Sequence, residues 1–198
     1  MRRAAGTRRG HAVRRGRPHR RDRRPRVRRL PGDRGVVRRD RRAAARLAIW
    51  DAPDAAAIER NASAVHALTT EQADYFRAAR AAWPVPARPG AAARGAVLSE
   101  FALAAAREGG HAAVVTVMFA AESLYLAWCG RAHREGRVPS GPIGDWVALL
   151  AGDAFRRGVA ALAREVDAIP ADVPDDRLVR WFAGMLEAEI AFHDAVYA

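Results

Sequence analysis

The sequence predicts an all-α protein built as a helical bundle. Residues 43–198 are rich in Ala and Leu, and no segment alternates apolar and polar residues with the period of two that strands show. Gly and Pro cluster at intervals that divide this part into pieces of helix length. Half of the 198 residues are apolar, so a core can form, and the length fits one domain with a tail.

Five helical segments are expected, each bounded by a capping residue, a Gly or a Pro. Asp54 caps the first segment, and Gly109 and Gly136 close the second and third. Pro174 precedes the last segment, whose first turn is acidic. In chain order the segments are about 54–82, 91–108, 111–135, 143–169 with a break near Gly152–Asp153, and 175–197.

The positive charge is concentrated in the first part of the chain. The 34 basic residues are all Arg, and with 22 acidic residues they give a net charge of +12. Residues 1–42 contain 19 Arg and three acidic residues, a net charge of +16, whereas residues 43–198 carry a net charge of −4. The chain therefore divides into an Arg-rich segment, 1–42, and a helical domain, 43–198, for which nucleic acid is not expected as a partner.

Residues 1–42 contain no aromatic residue and no apolar periodicity, so they are predicted to be disordered. Three interpretations are open for this segment. It is an arginine-rich arm that binds nucleic-acid phosphates, a solvated tail without a role, or a stretch of a GC-rich gene translated out of frame.

Three features of the sequence argue against other classes of protein. Cys129 is the one cysteine, which excludes a disulfide framework and a Cys-based zinc site. The longest apolar run is about half of the roughly 20 residues that a membrane span needs. The N-terminus also lacks the apolar region of a secretory signal. We therefore expect a cytoplasmic protein without a membrane partner.

A carboxylate lies in the apolar stripe of the last helix. Burying a carboxylate is costly unless it has a partner. Glu189 is therefore either a structural residue held by His193 or an Arg, or a general acid/base with a raised pKa, and both remain open. At 100° per residue the stripe consists of Leu178, Phe182, Met185, Leu186, Glu189, His193 and Val196.

A second carboxylate points into the apolar arc of the third helix. Glu122 has Met118 and Leu126 one turn away on either side, and Tyr125 follows three residues later on the same face. Two inward carboxylates on separate helices, one of them beside a tyrosine, can position a water molecule and pass protons. Glu122 and Glu189 are therefore the candidate catalytic residues.

Four stretches of the domain, in their order and spacing, are similar to a known family. They are RLAIWDAPDAAAIERNASAVHALTTEQADYF, RGAVLSEFALAAAREGGHAAVVTVMFAAESLYLAWCGRA, PIGDWVALLAGDAFRRGVAALAREVDAI and EIAFHDAVYA. The last resembles a closing E-x-x-F-W-x-x-A motif, with His193 at the place of the Trp. From about Ala43 onwards the chain resembles the TenA family, the thiaminase II and aminopyrimidine aminohydrolases of thiamine salvage.

The resemblance implies a bundle of the haem-oxygenase-like type, assembled as a homotetramer. It implies hydrolytic removal of a leaving group or an amino group from a pyrimidine substrate, without a cofactor or metal. Glu189 stands at the place of the family's acid/base. Glu122 stands where most members carry a nucleophilic Cys, so the chain resembles the branch in which a Glu replaces that Cys, with Tyr125 as a substrate-positioning hydroxyl. Cys129, seven residues further on, is not expected to be the nucleophile.

The chain departs from the family pattern in its early part. Residues 1–42 match neither the family's early helices nor the substrate-clamping Asp that they carry. The resemblance begins where the Arg-rich run ends, and this coincidence favours the out-of-frame interpretation, with early helices missing or misread. Leu98 and Leu150 stand where the family has Tyr residues.

Functions of different classes are therefore open. The first is a TenA-like hydrolase that uses Glu acid/base catalysis, and the second is a catalytically inactive TenA-like protein that binds a ligand or assembles. The third is nucleic-acid binding through residues 1–42. A di-iron oxygenase is a more distant alternative, because Glu122, Glu189 and His193 supply part of the necessary ligand set.

Overall fold

A computed structural model describes residues 47–82, 91–138 and 140–194. All regular secondary structure within these ranges is helical, which confirms the all-α class. The interpretations of residues 1–42 and the predicted end of the last helix near Tyr197 lie outside the described residues. The helices are a short piece at 47–50, α1 (Ala55–Thr69), α2 (Glu71–Ala82), α3 (Ala91–Arg134), α4 (Pro142–Ala151), α5 (Asp153–Asp167) and α6 (Asp175–Asp194).

Three predicted helix boundaries are confirmed by local backbone geometry. The Asp54 side chain accepts a hydrogen bond from the Ala57 N–H at 2.7 Å and so caps α1. Gly136 follows α3 with a φ of 60°, and the N–H of the next residue, Arg137, donates back to the carbonyl of Ala132. Gly152 is extended, with φ −75° and ψ 163°, and separates α4 from α5.

The prediction of one helix over 54–82 is wrong, because the chain breaks at Thr70 between α1 and α2. Thr70 leaves the helical region, with φ −111° and ψ −90°. Its hydroxyl donates to the carbonyl of His66 at 2.8 Å, and the Thr69 hydroxyl lies 3.0 Å from the same oxygen. These side-chain bonds to the last turn compete with continuation of the backbone ladder.

Helix α3 folds back on itself at Gly110, as the predicted break after Gly109 required. Gly110 has φ 53° and ψ −135°, a conformation that favours glycine. A straight helix would separate residues 95 and 125 by about 45 Å. Instead, Gly95 lies against Phe192 and Tyr125 against the next residue, His193. Both halves of α3 therefore run back from Gly110 along the same helix, α6.

The main core lies between α6 and the two halves of α3. Trp181, Met185 and Phe192 of α6 are buried in one cluster with Leu98 and Val117 of α3. Helices α4 and α5 pack on further faces of α3. The central position of α3 follows from its composition, because its second half carries an apolar arc too wide for a single neighbour to cover.

Glycines set the close approach of α3 and α6. A Cβ at Gly109 would lie 2.3 Å from the ring of Trp181, and one at Gly184 would lie 2.4 Å from the ring of Phe101. The two aromatic rings therefore occupy space that only a missing side chain leaves open.

A hydrogen bond, an ion pair and a cation–π contact join α6 to the end of the first half of α3. The Glu108 carboxylate accepts from the Trp181 indole N–H at 3.1 Å and is paired with Arg180. The Trp181 N–H, together with the charges of Arg180 and Arg177, lowers the pKa of Glu108. The Arg177 guanidinium also lies 4.8 Å from the centre of the Trp181 ring, within the range of a cation–π contact.

One stretch, Gly95–Arg134, is long and apolar enough to cross a membrane by length and composition, with a mean hydropathy of 1.6 in its most apolar window. This differs from the expectation from uninterrupted apolar runs, because the stretch is apolar on average although polar and charged residues interrupt it. Half of that window is buried inside the protein. A core helix passes the same test, and the contacts of α3 with α4, α5 and α6 are those of a core helix.

Replacing Gly184 by Ala should destabilise the fold, since the new methyl group overlaps the Phe101 ring. We expect Gly184→Ala to lower the free energy of unfolding by roughly 1–3 kcal/mol, the usual cost of overpacking. Gly158→Ala is the matched control, because Gly158 is also helical and a Cβ there meets nothing within 4 Å. It should raise the free energy of unfolding by up to about 1 kcal/mol through helix propensity. Urea unfolding measures both, and equal effects would contradict the close approach.

Candidate functional site

A buried carboxyl group between α3 and α6 is the centre of the candidate site. The Glu189 side chain is 1% exposed, and its Oε2 accepts a hydrogen bond from the Tyr125 hydroxyl at 2.9 Å. The two residues are 64 positions apart in the sequence, so the contact forms only when α6 packs against the second half of α3. A tyrosine hydroxyl that the sequence predicts to position the substrate is thus bonded to the Glu189 carboxylate instead.

His193 is the third polar group of the site. Its Nε2 lies 3.2 Å from the Tyr125 hydroxyl oxygen and 3.7 Å from Oε2 of Glu189. The His193 side chain is 25% exposed, so this cluster reaches the surface at one end. From the sequence, His193 is expected as a structural partner of Glu189, as one residue of a partial di-iron ligand set and at the place of the family's Trp, but not as a catalytic residue. The signal was the four-residue spacing of the two side chains on one helix face.

Aromatic rings surround these polar groups. Trp146 of α4 meets the Tyr125 ring edge-on, with the ring centres 5.5 Å apart. Trp128 of α3 meets the His193 ring edge-on at 5.2 Å and lies 6.4 Å from Trp146. Trp128 is 46% exposed, so part of this aromatic surface faces solvent. The sequence analysis assigned neither tryptophan to the site, although Trp128 follows Tyr125 at the three-residue spacing that shares a helix face.

Glu122 lies on α3 three residues before Tyr125, and its side chain is half-buried. It therefore belongs to the helix face next to the Tyr125–Glu189 contact. The structure brings Tyr125, Glu189 and His193 together. The pairing of Glu122 with Glu189 across a shared pocket stays a prediction.

Cys129 is sealed in a smaller core cluster with Ile143 and Val147 of α4. It is 1% exposed, and burial raises the pKa of its thiol to about 12. A thiol in such surroundings stays protonated near neutral pH and is a poor nucleophile. This supports the expectation that Cys129 is not the nucleophile.

Within the part of the chain that the structure describes, no group of three or more His, Cys, Asp or Glu side chains is arranged to hold a metal ion. Glu189 and His193, two of the residues considered for a di-iron site, instead meet at the Tyr125 hydroxyl.

No protein-family model matches the chain. No curated protein matches it closely enough to count as a relative. The TenA resemblance therefore stays a prediction from the sequence, and the functional argument rests on it and on the geometry of the site.

The thiol of Cys129 should be protected in the native protein. A thiolate-specific reagent at pH 8 should modify it roughly 10²-fold or more slowly in the folded chain than in denaturant, because both burial and the raised pKa oppose reaction. The rate of absorbance change on adding an aromatic disulfide measures this, and a fast native reaction would contradict the assigned burial.

The Tyr125–Glu189 contact should contribute measurably to stability. A double-mutant cycle with Tyr125→Phe and Glu189→Gln should give a coupling energy of about 1–3 kcal/mol, the scale of a buried hydrogen bond to a carboxylate. Urea unfolding of the four proteins measures it. Glu187→Gln is the matched control, because Glu187 is exposed on the same helix and should be additive with Tyr125→Phe. Additivity in both cycles would argue against the contact.

Proposed function

We propose that this protein is a TenA-like hydrolase that acts on an aminopyrimidine by acid/base catalysis at Glu189. The observation that carries the proposal is the buried Glu189 carboxylate held by the Tyr125 hydroxyl at the edge of an aromatic cluster. The sequence resemblance supplies the reaction class. The haem-oxygenase-like type of bundle, assembly as a homotetramer and a cytoplasmic location belong to the same proposal.

The proposed reaction breaks a C–N bond with water. The leaving nitrogen takes a proton from the acid, the water oxygen forms the new C–O bond, and a proton of that water goes to the base. A carboxyl group can serve in both steps, because it donates when protonated and accepts when ionised. The Tyr125 hydroxyl fixes the orientation of the Glu189 carboxyl, so the other oxygen keeps a defined direction.

Glu122 is the second carboxylate of the proposal. It is half-buried on the turn before Tyr125, and its role is to orient the attacking water while Glu189 supplies the proton. Glu189 is more buried than Glu122, and this difference suits the two roles. The more buried carboxyl group holds its proton more readily and can therefore act as the acid.

The aromatic cluster supports an aromatic ring as substrate. Trp128 and Trp146 present flat apolar surfaces beside the acid, and Trp128 is partly open to solvent. Rings of this kind bind a pyrimidine by stacking and attract a protonated amine through their electron-rich faces. Leu98 and Leu150 stand where the family has tyrosines, and they supply no aromatic ring for the substrate. In this proposal Trp128 and Trp146 make the aromatic contacts with the substrate instead.

The function is tested by the rate of hydrolysis of thiamine and of an aminomethyl-substituted aminopyrimidine. Glu189→Gln keeps the shape and removes the titratable group, so it should lower kcat by roughly 10²-fold or more. Glu122→Gln should have nearly the same effect, whereas Cys129→Ser should change kcat little. Glu187→Gln, on the exposed face of α6, is the matched control and should leave kcat unchanged.

Three outcomes would decide against parts of the proposal. Loss of turnover in Cys129→Ser, with turnover intact in Glu122→Gln, would refute the assignment to the Glu branch. Binding of the aminopyrimidine by the wild-type chain without turnover would favour the inactive ligand-binding alternative. Neither binding nor turnover would refute the proposed function.

A further inference from the structure

We propose that His193 is a positioning residue that carries protons between solvent and the buried carboxyl group of Glu189 through the Tyr125 hydroxyl. The Glu189 oxygen, the Tyr125 oxygen and the His193 Nε2 are joined by distances of 2.9 and 3.2 Å. The exposed fraction rises along this series of three residues, from 1% at Glu189 to 9% at Tyr125 and 25% at His193. The inference deepens the proposed function, and its kinetic part rests on that function.

The Tyr125 hydroxyl has a single proton, and the Glu189 carboxylate and the Nε2 of His193 both lie at a distance at which they can accept it. When it donates to Glu189, its oxygen is available to accept from a protonated Nε2 of His193. When it donates to an unprotonated Nε2, its oxygen can accept from a protonated Glu189 carboxyl. The protonation state of Glu189 is therefore linked to the protonation of His193 through one hydroxyl group.

Proton transfer along these three side chains is balanced, because each proton that one group gives up is accepted by its neighbour. The carboxyl proton of Glu189 passes to the Tyr125 oxygen while the Tyr125 proton passes to Nε2 of His193. Tyr125 ends as a neutral hydroxyl, Glu189 as a carboxylate and His193 as an imidazolium, which then releases its Nδ1 proton to water. The net result is transfer of one proton from Glu189 to solvent. The same transfers in the opposite order return a proton to the Glu189 carboxylate.

The surroundings of His193 favour this route. Its Nε2 lies close to Glu189 on α6 and to Tyr125 on α3, and the rings of Trp128 and Phe192 pack edge-on against its ring. The carboxylates nearest in sequence to the residues of this site are Glu122 on α3, Asp145 beside Trp146 on α4 and Asp194 beside His193 on α6, and the last two are exposed. Because histidine side chains titrate near neutral pH, His193 is the best suited of these three residues to exchange protons with water.

A titration followed by nuclear magnetic resonance tests the link without any substrate. The imidazole ¹⁵N shifts of His193 in the full chain should titrate with a midpoint that moves by about 1 pH unit or more in Glu189→Gln, because strongly interacting groups share their titrations. Tyr125→Phe should also move the midpoint, whereas exposed His133 serves as the unshifted reference. A His193 titration identical in all three proteins would overturn the relay, whatever the activity.

The kinetic test uses rescue. His193→Ala should lower kcat by roughly 10-fold or more, below the full effect of removing the acid itself, and imidazole added to the buffer should restore it. His193→Ala combined with Tyr125→Phe should not be rescued, because the hydroxyl that receives the proton is absent. His133→Ala, an exposed control, should leave kcat unchanged.

His193→Gln separates hydrogen bonding from proton transfer, because the amide can bond to Tyr125 but does not titrate. Its rate should lack the dependence on pH near neutrality that the relay predicts for the wild type. A wild-type pH profile in His193→Gln, or a His193→Ala protein that imidazole does not rescue, would overturn the relay. An inactive wild type would refute the proposed function instead, and the titration would then decide the relay alone.

Discussion

The reversal of α3 at Gly110 is the constraint on which the rest of the structure depends. It places both halves of one apolar segment along α6, so that α6 is buried on two sides rather than one. Trp181 and Glu189 are eight residues apart, a little over two turns, so their side chains leave α6 about 80° from each other. Trp181 lies against Gly109 in the first half of α3, whereas Glu189 meets Tyr125 in the second half. Both contacts therefore depend on the reversal at Gly110.

The sequence predicts the helical class, the break after Gly109 and the inward position of Glu189, because each depends on local periodicity or on a single residue type. It does not predict the partner of Glu189, since periodicity gives the buried face of a helix but not the helix that covers it. Trp146 shows the same limit, because α4 brings it to Tyr125 by tertiary packing alone. The break at Thr70 was missed for a different reason. Hydroxyl bonds to the preceding turn stop the helix there without any Gly or Pro.

Stability alone does not account for a carboxyl group at the position of Glu189. An apolar side chain of similar size in the same interface would avoid the cost of removing a carboxylate from water. The Tyr125 hydroxyl offsets part of that cost, and Tyr125 is itself a polar group introduced into the apolar arc of α3. The contact between these two buried polar residues on separate helices therefore supports the proposed chemical role of the pair.

His193 lies at the exposed end of the Tyr125–Glu189 pair, so the three side chains lead from the buried core to the surface. A carboxyl group that is sealed on all sides exchanges protons with water only when the surrounding structure opens, which slows each turnover of an acid/base catalyst. A fully exposed carboxyl group loses the raised proton affinity that burial provides. In the proposed mechanism, the graded exposure from Glu189 through Tyr125 to His193 meets both requirements, because the Glu189 carboxyl group stays buried while its proton can reach water. Trp146 packs edge-on against Tyr125 and Trp128 packs edge-on against His193, so apolar rings flank these polar groups between the buried and the exposed end.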